Sequence, residues 1–231
     1  MDHIRLSPRL QMVADFVPPC ACAADIGTDH GYLPVWLLQN GVIQSAIAAD
    51  IHAGPLANAR QSAAAYDLEE HFRFVQADGL QFSGVQVADV ITIAGMGGET
   101  ICAILAAAPW LREGKQLVLQ PQSKVPELTD WLWRNGFTIE DAALCRDAGK
   151  RYLVLRVLGQ PAVQTYTVEQ LLLRRRDPLL TEHLKEEIRR QTRARAGMAH
   201  AKQTPAAELA ALDARLSQLQ ACLKEVQTWQ L

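Results

Sequence analysis

The stretch Asp25-Ile26-Gly27-Thr28-Asp29-His30-Gly31 decides how this chain reads. Before it lies the apolar run Ala21 to Ile26, a strand candidate. After it, Gly31 to Asn40 turns helical, with Gly41 where a C-terminal cap would sit. Strand, glycine turn and helix in that order present a turn to a ligand at the carboxyl end of a parallel strand. A dinucleotide-binding turn would carry G-x-G-x-x-G, whose glycines let the backbone approach a pyrophosphate. Here the turn carries Asp25 and Asp29, with only Gly27 and Gly31. Carboxylates repel a pyrophosphate and suit a cationic ligand, such as a sulfonium with a free amino group. Taken alone, the stretch also fits a plain glycine turn.

The same alternation repeats along the chain. Ser7-Pro8 reads as an N-cap and first helical position, followed by the stripe Leu10, Val13, Ala14 and Val17. Ser45 to Ala49 is a second apolar run ending in Asp50, and residues 54–66 are Ala-rich and helical. His71 to Ala77 and Val87 to Ala94 are further strand candidates, the latter broken by Gly95-Met96-Gly97-Gly98. Residues 99–108 read as helix, Lys115 to Leu119 as strand and Val125 to Asn135 as helix. Phe137 to Leu144 and Tyr152 to Leu158 then come as two strands in succession. Alternation means βαβ units and a mainly parallel sheet, and the final pair means an antiparallel hairpin on it. That is the strand pattern of a Rossmann-like class I methyltransferase fold, expected over 1–160.

Past Gly159-Gln160-Pro161 the texture changes, and residues 161–231 are expected to form a helical C-terminal domain. Val168 to about Lys202 is a charged helical stretch with a break near Asp177-Pro178; Gln203-Thr204-Pro205 is a turn. From Ala206 onward, Leu209, Leu212, Leu216, Leu219, Leu223 and Val226 form an a/d heptad seam. Its partner is either the preceding helix, through Leu180, Leu184, Ile188 and Met198, in a coiled-coil-like hairpin, or a second chain. A monomer and a homodimer through this seam both remain open.

Composition bounds the function classes. The 231 residues are 49% hydrophobic and 21% charged, which suits a folded core and excludes a disordered tail or a disulfide-stapled mini-domain. The cysteines, Cys20, Cys22, Cys102, Cys145 and Cys222, are odd in number and contain no C-x-x-C, so reduced structural thiols are expected and no metal site. Met1 to Arg5 has no apolar region behind it, and the run Ile101 to Leu111 contains Pro109 and is too short to span a bilayer. A cytoplasmic protein with no membrane contact follows as the expectation. The net charge of −2 argues against a nucleic-acid partner only until it is divided. Residues 1–160 carry 12 Lys/Arg against 17 Asp/Glu, and 161–231 carry 11 against 8. Within 174–202 the balance is 9 against 4, from Arg174, Arg175 and Arg176 through Arg189, Arg190, Arg193 and Arg195 to Lys202. Such a run is a solvated helix face or a track for phosphates.

The other strand ends carry chemistry too. Asp50, 25 positions after Asp25, is placed to accept from the ribose hydroxyls of a nucleoside cofactor. Asp78-Gly79-Leu80 closes the third strand, where a carboxylate or backbone meets an adenine ring. Helix capping is the alternative for Asp50, Asp78 and Asp29. Ala94-Gly95-Met96-Gly97-Gly98 ends the fourth strand, where this fold faces a transferable methyl group, and Gln120-Pro121-Gln122 follows the fifth, where amides can read a base edge.

Ala24-Asp-Ile-Gly-Thr-Asp-His-Gly-Tyr-Leu-Pro34, Gly54-Pro-Leu56, Asp78-Gly-Leu80, Ala94-Gly-Met-Gly-Gly98 and Leu119-Gln-Pro121 together resemble the TrmK family of bacterial tRNA (adenine-22-N1)-methyltransferases. The likeness runs from residue 7 to about 158. It implies transfer of a methyl group from S-adenosyl-L-methionine (SAM) to N1 of an adenine in tRNA. It implies cofactor contacts at Asp25, Gly27, His30, Gly31, Asp50, Ile51, Asp78, Gly79, Ala94, Gly95 and Met96. Asp29 and Gln122 are the candidates at the reacting base, Asp29 being equally able to bind the cofactor. Tyr32, Trp36 and Phe82 are candidates to stack on an extruded base, with Trp36 read first as a core aromatic. Arg9, Gln120 and the arginines 174, 175, 189, 190 and 193 are the candidate tRNA contacts. One departure is Gln122, where the family pattern leads one to expect Asn. The competing reading is a methyltransferase of the same fold acting on a small molecule or protein. A non-catalytic binding protein is disfavoured by the intact acids, and a dehydrogenase by the missing G-x-G-x-x-G.

Overall fold

The structure, a computed structural model, describes residues 3–162, 166–200 and 206–229, with the side chains of 199 and 200 left aside. Met1, Asp2, Lys202 and the turn expected at Gln203-Thr204-Pro205 therefore lie outside the described residues. The chain divides into two compact units, Met1–Thr165 and Tyr166–Leu231.

In the first unit the strands are β1 (Cys20–Ile26), β2 (Ile43–Asp50), β3 (Phe72–Gln76), β4 (Val90–Gly97), β5 (Gln116–Ser123), β6 (Thr138–Asp147) and β7 (Lys150–Leu158). The helices between them are α1 (Pro8–Phe16), α2 (Tyr32–Gln39), α3 (Ala53–Ala65), α4 (Gly98–Ala106) and α5 (Val125–Arg134). The strand order is β3-β2-β1-β4-β5-β7-β6. β1 to β5 are parallel, and β7 runs antiparallel between β5 and β6. The order reverses between β1 and β4, and the carboxyl ends of these two strands open the crevice in which such sheets bind ligands.

The sheet forms because its central strands are apolar on both faces, as a doubly covered parallel sheet requires. Val90, Ile91 and Ile93 of β4 and Leu117, Val118 and Leu119 of β5 are buried. α1 and α2 cover one face through Val13, Phe16, Leu33 and Leu37, and Trp36 is partly buried against this cluster. Each large apolar side chain so enclosed contributes roughly 1.5–3 kcal/mol. α1 begins as its sequence suggests: the Ser7 hydroxyl accepts from Leu10 N–H at 3.4 Å, and Pro8 opens the helix.

Several boundaries differ from the sequence reading for local reasons. The glycines of Ala94–Gly98 do not end β4 at once; the strand continues to Gly97 through a bulge. Gln120-Pro121-Gln122 lies inside β5 rather than after it. Pro121 is tolerated there because an irregular edge of the ladder asks nothing of its missing N–H. His71 and Val87 belong to short 3₁₀ turns that lead into β3 and β4.

The second unit contains α6 (Val168–Arg175), α7 (Leu180–His200) and α8 (Ala206–Thr228). α6 starts on a capping box, with Thr167 Oγ1 accepting from Gln170 N–H and Gln170 Oε1 accepting from Thr167 N–H. α7 and α8 pack on each other within the chain. Only residues 201–205 join them, too few to traverse a helix of this length, so the pair is antiparallel. Leu216, Leu219 and Val226 of the seam are buried, as are Leu180 and Leu184 of α7. Inside this unit the Glu169 carboxylate is buried and accepts from Arg215 at 2.6 Å, with His183 Nε2 3.8 Å away. Burial alone would raise its pKa; the His183 and Arg215 partners more than offset this and hold it down at about 2.

Candidate functional site

Asp25 is the penultimate residue of β1, in register with Ala48 of β2 and Thr92 of β4. Its Oδ1 accepts from the Thr92 hydroxyl at 2.7 Å. Burial pushes the carboxyl above its ordinary value; the Thr92 and Thr28 hydroxyls pull it back, and the Asp50 charge adds to the rise. Thr28 is itself buried, and its hydroxyl, near enough to Asp25 to act on the carboxyl, makes no well-formed hydrogen bond among the described residues. An acid with an unfilled hydroxyl beside it is a polar lining with room for one more donor and acceptor. That fits a cationic ammonium or sulfonium group. Gly27 turns the chain out of β1, and Met96 of β4 lies directly over it, so the two strand ends meet at this point. Gly31, the N-cap of α2, has φ +67°, and a Cβ there would come within 3.0 Å of the Ala59 Cβ on α3. Only glycine allows both that turn and that approach.

Asp29 and His30 are exposed, with Asp29 Oδ2 3.7 Å from His30 Nε2. Asp29 does not cap α2, which has no side-chain cap bond. His30 stacks on Tyr32, ring centroids 5.1 Å apart and 19° from parallel. Tyr32 remains 42% exposed, which leaves one face of its ring open. Asp50 ends β2, where its Oδ1 accepts from His52 N–H at 2.7 Å in a turn ahead of α3 rather than as that helix's N-cap. Beside it Ile51 is 52% exposed, an apolar side chain standing open at the rim. Asp78, two residues past β3, is exposed and carries no side-chain bond among the described residues, and Gly79 packs on Ile104 of α4.

Gln120 departs from the expectation of a direct base contact. It is fully buried, and its amide is engaged by Arg9, Gly95 and Pro121. Gln122, two residues on, is the exposed amide at this edge. Arg9 stands beside Gly95 rather than on an outlying surface. Trp36 is claimed by the core, and Phe82 is partly buried under Arg73 at 5.8 Å. Sequence reasoning missed Thr92, whose signal was a lone hydroxyl in the otherwise apolar Val90-Ile-Thr-Ile93.

In the second unit, the candidate arginines are all exposed. Arg174 lies over the Tyr166 ring at 4.6 Å, and Arg190 is paired with Glu187 at 2.6 Å. Arg195 is paired with Asp213. Lys185, Arg189 and Arg193 recur at every fourth position, one face of α7. Among the described residues no group of His, Cys, Asp or Glu is arranged to hold a metal ion. None of the described helices is long and apolar enough to cross a membrane.

Comparison with known proteins bears on the family and the fold. A methyltransferase domain profile matches residues 6–155. The Bacillus subtilis tRNA (adenine(22)-N(1))-methyltransferase is 39% identical over 156 residues, 67% of this chain and 66% of that enzyme. The alignment thus spans just under two thirds of the relative's length. Among solved structures, the B. subtilis M1A22 tRNA methyltransferase TrmK superposes with a TM-score of 0.80 at 28% identity, covering 96% of this chain and 100% of that one. A Streptococcus pneumoniae protein in complex with SAM superposes with a TM-score of 0.77 at 30% identity, covering 95% of this chain and all of the other.

Proposed function

The chain belongs to the TrmK family of SAM-dependent tRNA (adenine(22)-N(1))-methyltransferases, and from that premise we propose that it methylates N1 of adenine 22 in tRNA. The observation that carries the reading is the carboxyl edge of β1, β2 and β4. There Asp25 and its Thr92 donor, the adjacent Thr28 hydroxyl, Asp50 and the bulged Gly95 stand at the adjoining ends of three paired strands. Asp25 and Thr28 fit the amino acid end of SAM, Asp50 the ribose hydroxyls, and Ile51, Asp78 and Gly79 the adenine ring. When bound, SAM supplies an electrophilic methyl group.

Adenine N1 carries its own lone pair and is unprotonated at neutral pH, so no general base is needed. The protein's work is to hold the base in line and keep water out. An adenine within folded RNA is extruded to be reached, and the open face of the Tyr32 ring, backed by His30, is a platform on which it stacks. Charge on the base rises as the methyl transfers. Asp29 is the exposed carboxylate of this turn available to offset it, and Gln122 is the exposed amide for the exocyclic amine. The Lys185, Arg189 and Arg193 stripe is the phosphate-binding face of the helical unit. The seam filled within the chain supports the monomer of the two oligomeric states. A tRNA substrate supports a cytoplasmic location.

The test is incubation with labelled SAM and unmodified total tRNA, followed by mapping of methylated adenines. Label at position 22 is expected. SAM binding without transfer to RNA would sink the reading and favour a small-molecule or protein substrate.

A further inference from the structure

β4 and β5 do not pair evenly at the site. Their register steps from Ala94 opposite Gln120 to Met96 opposite Pro121 and Gly97 opposite Ser123, leaving Gly95 without a cross-strand partner. Gly95 has φ +81°, as a bulged glycine does. A bulge strands one backbone amide, and here the Gly95 N–H donates to the side-chain oxygen of Gln120 at 3.1 Å. The same oxygen accepts from Arg9 Nη1 at 2.8 Å, and Gln120 Nε2 donates to the Pro121 carbonyl at 2.9 Å. Gln120 has no solvent exposure. Both lone pairs of its oxygen are thus in use, one by the methyl-transfer strand and one by α1.

Arg9 is fixed on three sides. Its backbone N–H reaches Asp147 at 3.4 Å, its guanidinium lies over the Tyr152 ring at 5.8 Å, and one Nη1 donor is on Gln120. Among the described residues no carboxylate is paired with the guanidinium. A neutral amide therefore orients this cation without neutralising it, where a glutamate at the same place would do both. The same Nη1 lies 3.6 Å from where a Cβ on Gly95 would stand, so the guanidinium sits against the bulge.

We propose that Gln120 is a positioning residue: one buried amide fixes the Gly95 bulge and the Arg9 guanidinium together, and Arg9 so held binds a phosphate of the nucleotide being methylated. The phosphate half rests on the tRNA reading above; the bulge half does not. The two halves separate under substitution. Gln120→Met removes the acceptor from both donors. Exchange of the Gly95 amide proton, followed by NMR, is expected to speed up, kcat to fall and KM for tRNA to rise, each roughly tenfold. Gln120→Glu keeps an acceptor for both donors but pairs the charge of Arg9. Slow Gly95 exchange and near-normal kcat are expected, with KM for tRNA raised as far as in Arg9→Gln. The double variant Gln120→Met with Arg9→Gln should raise KM no more than the worse single change.

Wild-type Gly95 exchange in Gln120→Met would overturn the bulge half, with or without an active enzyme. Unchanged KM in Arg9→Gln, unchanged KM in Gln120→Glu, or multiplicative losses in the double variant would overturn the phosphate half. Absence of transfer to tRNA by the unaltered chain, with SAM bound, would instead sink the functional reading and the phosphate half with it. SAM affinity and melting temperature, read on the same samples, separate these outcomes from a folding defect.

Discussion

Enclosing the Asp25 carboxyl at the end of β1 disfavours its charged form, and the Thr92 hydroxyl at 2.7 Å works against that penalty. The direction of the shift sets the pH response. The pKa is raised in the fold, so folding stability falls as pH rises from the ordinary carboxylate range through the raised value. A cationic ligand reverses the sense, because it needs the ionised form. SAM affinity should therefore rise with pH across that window and weaken in acid, as calorimetry at a series of pH values would show. Asp25→Ala should abolish binding, and wild-type affinity in that variant would mean the crevice holds something else. Thr92→Val should weaken binding at neutral pH about tenfold, the loss of one hydrogen bond to a charged group. At this scale the sequence exposed the acids at the strand ends, because residue type and the end of an apolar run are both local features. It hid Thr92 and the role of Gln120, because which side chain answers a stranded amide depends on strand register. Register is set by partners far away in the chain.

Elements were legible wherever local chemistry and packing agreed. The Ser7-Pro8 start, the alternation of strands and helices up to α5 and the heptad seam of α8 all stand where residue pattern put them. The ends of β4 and β5 did not, since glycine and proline normally end strands and only the bulge lets them continue. The helical unit holds a polar feature that no periodicity announces, the buried Glu169 with Arg215 and His183. Its pKa is depressed, so the stability it contributes is present above the unfolded value near 4.5 and is lost as pH falls towards about 2. A shift of that size corresponds to about 3 kcal/mol. Arg215→Met leaves the buried carboxylate with only His183 near it, 3.8 Å away, and should destabilise this unit by about 3 kcal/mol. Circular dichroism melts at neutral and acid pH check both: the variant should lose much of the acid sensitivity that the unaltered chain shows. A variant that melts like the unaltered chain would contradict the pairing.

For the whole molecule, a charge of −2 conceals two halves of opposite sign, −5 over residues 1–160 and +3 over 161–231. Arg190 and Arg195 are internally paired, so the stripe Lys185, Arg189 and Arg193 carries the available positive charge of α7. Binding to tRNA should weaken steeply with salt. Reversing Arg189 and Arg193 to Glu should lower the slope of log affinity against log salt by about 1 for each phosphate that is no longer bound, with SAM affinity intact. An unchanged slope would remove α7 from the interface. The sheet itself carries a consequence of a different kind. β7 is the last strand made, yet it lies inside the sheet between β5 and β6. Until residue 158 has been synthesised, β5 shows a bare apolar edge and β6 has nothing to pair with. During translation the nascent domain is thus an open sheet, exposed to chance association with other chains. The strand that finishes the fold is also the one that shields the newborn protein from aggregation.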